Sequence, residues 1–138
     1  MSDRVLVCGA AVLMLCARTT LAMADAPPAL SEQAAQGKAA YAVHCTACHG
    51  SELEGGLHAP ALLGPVFRSH WDGKPARAVY SRIISTMPQD NPGSLSEMEA
   101  LTIALYVFAV NDISVGEQPI VSPAALNSVT IPTQATAP

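Results

Sequence analysis

The chain is 138 residues long, half of them apolar and only 13% charged, with a formal net charge of −4 at pH 7. This length suits one small domain. Seven Lys and Arg residues against eleven acidic ones are too few to form the basic surface of a nucleic-acid-binding protein.

Residues 1–24 have the pattern of a secretory signal peptide. Arg4 precedes an uncharged apolar run over residues 5–17, and the small residues Ala22 and Ala24 precede the predicted cleavage point. The run is shorter than the roughly 20 apolar residues that span a bilayer. We therefore expect cleavage after Ala24, export to the periplasm and no stable membrane insertion afterwards. An uncleaved, shallow anchor is the alternative.

Three helices are predicted after an extended linker over residues 25–30. The first covers residues 31–43, with the serine at position 31 as N-cap. Residues 50–73 are rich in Gly and Pro and should form mostly loop. The second helix covers residues 75–85, since proline suits a first helical turn. The last covers residues 96–110 and opens on a Ser-x-x-Glu capping box.

The C-terminal residues 116–138 consist mainly of Pro, Ser, Thr and Ala without periodicity, which predicts a disordered tail. The folded part is then the all-α segment 31–115, with three to four helices and long loops. A domain of this size has a thin core and usually needs a covalent or metal-based staple.

The motif Cys45-Thr46-Ala47-Cys48-His49 has the spacing of a c-type haem attachment site. Two cysteines three residues apart on one helical turn can bond both vinyl groups on one side of a porphyrin. The next residue, His49, is then placed to ligate the iron. We therefore predict one haem c, bonded through Cys45 and Cys48 and ligated by His49. A backbone carbonyl shortly downstream should accept the Nδ1–H of His49.

Two other kinds of site use a Cys-x-x-Cys pair. A redox-active disulfide of the thioredoxin type needs a βαβ context, which this helical pattern lacks. A structural zinc needs four ligands, and no second cysteine pair remains once the signal peptide carries away Cys8 and Cys16.

Met87 is the candidate for the sixth iron ligand, because it stands in Thr86-Met87-Pro88 where a helix gives way to loop. Met98, in the first turn of the last helix, should pack in the core. Three histidines compete with Met87. His44 should lie on the proximal side and His58 should face solvent, whereas His70 stays open as an alternative.

The segment 33–111 resembles the small bacterial class I cytochromes c, which implies the cytochrome c fold around one haem. In that family a Gly/aromatic pair in the first helix packs on an aromatic of the last helix. A proline carbonyl accepts the Nδ1–H of the proximal histidine, a Met-Pro segment supplies the sixth ligand, and a tryptophan lies near a haem propionate. The matching residues here are Gly37, Tyr41, Tyr106, Pro60, Met87, Pro88 and Trp71.

A narrower resemblance covers the stretch Trp71-Asp72-Gly73-Lys74 and the residues Pro92-Gly93-Ser94-Leu95-Ser96. Both are similar to cytochrome domains associated with periplasmic quinoprotein alcohol dehydrogenases. The resemblance implies an electron carrier, not itself an enzyme, that accepts electrons from a dehydrogenase and passes them to an oxidase or another cytochrome. Two alternatives are a haem subunit of a dehydrogenase complex and a ligand-binding haem protein with an open iron site.

Overall fold

The computed structural model describes residues 29–134, so the predicted signal peptide and nearly all of the linker lie outside the described residues. The regular secondary structure of the described part consists of helices joined by long loops, apart from one isolated bridge between Pro75 and Thr130, as the all-α prediction requires. The helices are α1 (Leu30–His44), α2 (Thr46–His49), α3 (Gly64–Trp71), α4 (Ala76–Thr86), α5 (Glu97–Val110) and a 3₁₀ helix (Pro123–Ser128). None of the helices in residues 29–134 is long and apolar enough to cross a membrane.

Helices α1 and α5 pack together at Gly37, where the two backbones come very close. A Cβ atom built on Gly37 would lie 1.8 Å from the carbonyl oxygen of Thr102 in α5, so only glycine fits this crossing. One turn later in α1, the rings of Tyr41 and Tyr106 meet edge to face, with centroids 5.6 Å apart. Both contacts are those that the family resemblance implies.

Helix α5 is the centre of the core and is buried on most of its faces, because α1 and α4 pack against it. Its start is fixed by the predicted capping box. The Oγ of Ser96 accepts a hydrogen bond from the backbone N–H of Glu99 at 3.2 Å, and the backbone N–H of Ser96 donates to Glu99 Oε2 at 2.9 Å. These two hydrogen bonds satisfy the backbone N–H groups of Ser96 and Glu99, which have no partner within the helix.

Three local predictions differ from the structure. The predicted loop over residues 50–73 contains α3, in which Pro65 occupies the first turn, a position that favours a helix start. The N-cap of helix α1 is Ala29, two residues before the predicted N-cap, so Ser31 lies within the helix. Met98 is 52% exposed and does not pack in the core, because it lies on the outer side of the first turn of α5.

The predicted disorder of residues 116–138 also differs from the structure, at least as far as residue 134. We call residues 117–134 the C-terminal segment. Leu126 and Ile131 are fully buried in it. The backbone of Ile131 exchanges two hydrogen bonds of 2.9 Å with Gly73 and Lys74, at the turn between α3 and α4. A few separate buried side chains and the backbone hydrogen bonds of Ile131 hold this segment against the domain. An ordered segment of this kind does not require a periodic pattern of apolar residues.

Candidate functional site

A cavity of about 490 Å³ opens between the Cys-x-x-Cys-His turn and helices α3, α4 and α5. Its lining is mostly apolar, with Val79 and Ile83 from α4 and Ile103 and Val107 from α5. Each of these pairs is spaced i, i+4, so each helix presents one face to the cavity. The structure brings all six predicted site residues to the wall of this cavity: Cys45, Cys48, His49, Pro60, Trp71 and Met87.

The two cysteines and the histidine share one helical turn. Cys45 lies between α1 and α2, and its carbonyl accepts hydrogen bonds from the backbone N–H of Cys48 at 3.2 Å and of His49 at 2.9 Å. Both thiols are free. The hydroxyl of Tyr41 donates to the carbonyl of Gly50 at 2.7 Å and so holds the end of the motif against α1.

The chemistry of Cys45 does not fit a redox-active thiol. Burial, together with a smaller effect of the neighbouring Cys48, raises the pKa of the Cys45 thiol to about 11. Redox-active cysteines need a lowered pKa, because the thiolate is the reacting species. Among residues 29–134 there is also no cluster of three or more His, Cys, Asp or Glu side chains that could hold a metal ion. The zinc alternative therefore lacks its ligand set in the described part of the chain.

His49 is buried, and its ring orientation is fixed by one hydrogen bond. Its Nδ1 lies 2.8 Å from the carbonyl oxygen of Pro60. A carbonyl can only accept, so Nδ1 carries the proton and donates. In the neutral ring the Nε2 lone pair is then free for a metal. This is the contact expected of Pro60.

The loop between His49 and Pro60 is closed by its own backbone. The N–H of Gly55 donates to the carbonyl of His49 at 2.7 Å, and the N–H of Gly56 donates to the carbonyl of Ala59 at 2.9 Å. Gly55 has a φ of +78°, and a Cβ there would meet the backbone nitrogen of Ala61 at 2.4 Å. The carbonyl of Pro60 is therefore presented to His49 by a tight loop.

Met87 lies immediately after α4, and its backbone N–H closes the last turn by donating to the carbonyl of Ile83 at 3.0 Å. Trp71, at the end of α3, is half-buried, and its ring packs on Phe67 with centroids 6.3 Å apart. The Nζ of Lys74 stands 5.3 Å from the centroid of Trp71, which is a cation–π distance.

The three competing histidines also line the cavity. Nε2 of His44 lies 3.6 Å from a carboxylate oxygen of Glu99. His58 is exposed, as predicted. His70 is exposed as well, and its Nδ1 donates to the carbonyl of Val66 within α3 at 3.0 Å.

The residues of the cavity fit a haem. Two thiols and a ring nitrogen with a free lone pair stand on one turn, at the edge of an apolar space that can bury a large flat ring. The apolar lining of α4 and α5 was visible in the sequence only as i, i+4 pairs, a pattern that predicts a buried face but not what the face covers.

Most of the described residues resemble proteins that are already known. The family model described as "Cytochrome C oxidase, cbb3-type, subunit III" matches residues 32–107, more than half of the chain. No curated protein sequence gives a significant match. Among solved structures, the chain is similar to a chain of the sulfane dehydrogenase SoxCD from Paracoccus pantotrophus, with 25% sequence identity and a TM-score of 0.59. The match covers 72% of the present chain and 53% of that one, so the present chain matches about half of its length.

Proposed function

Because the chain belongs to the cytochrome c family described as cbb3-type oxidase subunit III, we propose that it carries single electrons on one haem c held by Cys45 and Cys48. The observation that carries this proposal is the meeting of two free thiols and one oriented imidazole on a single turn beside an apolar cavity. The family itself consists of electron-transport domains that contain haem iron. We propose in addition that a single haem is bound and that thioether bonds attach it.

A bound haem c supplies the Fe(II)/Fe(III) couple. The residues of the cavity would hold the haem and set its reduction potential. His49 would ligate the haem iron through Nε2, and the carbonyl of Pro60 holds the ring in the orientation that this requires. The apolar side chains of α4 and α5 would pack against the haem and keep water away from it. We propose that Trp71 lies near a haem propionate, as the family resemblance implies.

Met87 is proposed as the second axial ligand. It lies on the cavity wall just past the end of α4. A thioether is a softer and weaker donor to Fe(III) than a second imidazole. It therefore favours Fe(II) and gives a fairly positive reduction potential. Such a potential suits a carrier that takes electrons from a dehydrogenase and passes them to an oxidase.

The proposed setting is the periplasm, with a dehydrogenase as donor and an oxidase or another cytochrome as acceptor. The signal-like pattern of residues 1–24 supports export. The resemblance of residues 71–74 and 92–96 to cytochrome domains of quinoprotein alcohol dehydrogenases supports a dehydrogenase as donor.

A second candidate function is a permanent haem subunit of a dehydrogenase complex. The structural similarity to a chain of the SoxCD sulfane dehydrogenase favours it. Size-exclusion chromatography of native periplasm separates the two candidates. A free carrier elutes at the size of a small monomer, whereas a subunit elutes together with its enzyme.

The ligand set is tested with Met87→Ala, and Met98→Ala is the matched control because Met98 is largely exposed and does not line the cavity. Met87→Ala should abolish the thioether–iron charge-transfer band of the oxidised protein. It should also lower the reduction potential, because the thioether ligand that favours Fe(II) is lost. Met98→Ala should keep both. An unchanged spectrum in Met87→Ala would remove Met87 from the site.

A further inference from the structure

Asn111, the residue that follows α5, has a buried side chain with all of its polar groups in use. It is only 6% exposed. Its Nδ2 donates to the carbonyl of Leu62 at 2.9 Å and to the carbonyl of Val107 at 2.8 Å. Its Oδ1 accepts from the backbone N–H of Gly64 at 3.0 Å. One amide therefore joins the end of the central helix to residues 62–64, almost fifty positions earlier in the chain.

Residues 62–64 directly follow the loop that presents Pro60 to His49. The N–H of Leu62 donates to the carbonyl of Leu53 at 2.8 Å, so Leu62 is held at its N–H by the loop and at its carbonyl by Asn111. Pro60 has no N–H of its own and is exposed, so neighbouring residues fix the position of its carbonyl. Only Ala61 separates it from Leu62.

We propose that Asn111 is a positioning residue for His49. The side chain of Asn111 holds Leu62 in place, and Leu62 in turn limits the movement of the Pro60 carbonyl. The position of that carbonyl sets the orientation of the His49 ring. The inference rests on the proposed function, in which His49 is an iron ligand. A short, well-aligned bond at Nδ1 increases the electron donation of Nε2 to the metal. Stronger donation stabilises Fe(III), so a loosened carbonyl should raise the reduction potential.

The test compares Asn111→Ala with Gln33→Ala in the haem-containing protein. Gln33 is a matched control because it too is a buried amide, 2% exposed. Its side chain exchanges two hydrogen bonds of 2.9 Å with the backbone of Ile120, a residue that does not line the cavity. Two quantities are measured: the hydrogen-exchange rate of the His49 Nδ1 proton in the reduced protein by NMR, and the reduction potential.

In Asn111→Ala the His49 Nδ1 proton should exchange roughly tenfold faster, because its acceptor is no longer held, and the potential should rise. Gln33→Ala should lower the stability but leave both quantities at their wild-type values. Wild-type exchange and potential in Asn111→Ala would overturn the inference, and so would equal shifts in both variants.

If Asn111→Ala does not fold, Asn111→Ser serves instead, because it brings no charge into the buried site. Its single, shorter hydroxyl cannot replace the bonds to Leu62, Val107 and Gly64 together, so faster exchange is again expected and wild-type exchange again refutes the inference. The proposed function fails separately. A wild-type chain without haem absorption refutes both statements, whereas a haem-containing Asn111 variant with wild-type exchange refutes only the role of Asn111.

Discussion

Among the glycines of residues 29–134, Gly37 is the one at which an added Cβ atom would approach another atom most closely. The atom it would meet, the carbonyl oxygen of Thr102, belongs to the backbone of α5 and cannot rotate away as a side chain can. The close approach also allows Tyr41 and Tyr106 to pack edge to face one turn later. The helix crossing, and with it the placement of the Cys-x-x-Cys-His turn, therefore depends on this glycine.

Gly37→Ala should lower the free energy of unfolding by about 3 kcal/mol or more, because one of the two helices must shift. Urea denaturation of the haem-containing protein measures the change. Gly56→Ala is the control. There the nearest atom to the new Cβ is the carbonyl oxygen of Cys48 at 3.6 Å, an ordinary contact, and the backbone needs no positive φ. Equal stabilities of the two variants would contradict the tight crossing.

At the residue scale, the sequence was sufficient to name six residues on the cavity wall but not the residues that hold them in place. The haem-binding motif is local, so its chemistry can be read from five consecutive positions. Asn111 and Leu62, in contrast, meet only because α5 packs beside the loop. No spacing rule connects residues so far apart, and an asparagine after a helix is most simply expected to be a surface cap.

At the element scale, the start of α5 is the best-defined helix end. The carboxylate of Glu99 accepts from both the hydroxyl and the backbone N–H of Ser96, at 2.7 and 2.9 Å. Ser96→Ala removes the hydroxyl that caps the N–H of Glu99 and should reduce the free energy of unfolding by about 1 kcal/mol at pH 7. Thermal or urea denaturation measures it, with Ser69→Ala, an exposed serine in α3, as control. No loss in Ser96→Ala would contradict the cap.

The same contact makes part of the stability depend on pH. The hydrogen bonds from Ser96, aided by His44, hold the pKa of Glu99 below its ordinary value of 4.5. A lowered pKa means that the ionised carboxylate stabilises the folded state above that value and that the contribution is lost as the pH falls below it. The stability gap between wild type and Ser96→Ala should therefore narrow between pH 7 and pH 3. A gap that widens on acidification would contradict this account.

Helix ends with a side-chain signal were predicted well, and ends without one were not. The capping box at α5 and the proline before α4 are explicit signals. Helix α1 starts after Ala29 without any side-chain cap, so tertiary packing decides where it begins. Helix α3 was missed because its Gly64-Pro65 start looks like a turn, although proline also suits a first helical turn.

At the scale of the whole molecule, the C-terminal segment contacts both α1 and the region where α3 is followed by α4. The side chain of Gln33 in α1 pairs with the backbone of Ile120, and the N–H of Ala76 donates to the carbonyl of Val129 at 2.8 Å. The buried guanidinium of Arg68 donates to the carbonyl of Pro132. The segment therefore braces the turn between α3 and α4, where Trp71 meets the cavity.

Leu126→Ala tests whether this brace contributes to stability. Leu126 is fully buried, so its truncation should lower the free energy of unfolding by about 3 kcal/mol. Val121→Ala, in the same segment but 66% exposed, should change it by less than about 0.5 kcal/mol. Urea denaturation of both variants gives the comparison, and equal small effects would indicate a loosely held segment.

The order of this segment could not be predicted from its sequence. The stretch predicts disorder because it consists mainly of Pro, Ser, Thr and Ala without an apolar period. Its order depends on single anchors, such as Leu126 and Ile131, that fit pockets made by distant parts of the chain. Such anchoring leaves no periodic pattern, so composition alone underestimates the size of the folded domain.

The most direct test of the account is whether haem stays with the denatured chain. The protein is expressed with a working haem-attachment system, purified and extracted with acid-acetone, and the absorption of precipitate and extract is compared. Thioether bonds at Cys45 and Cys48 predict that the haem absorption stays with the precipitated polypeptide, and that the double variant Cys45→Ala/Cys48→Ala loses it to the extract. A colourless wild-type precipitate would contradict the account at its centre.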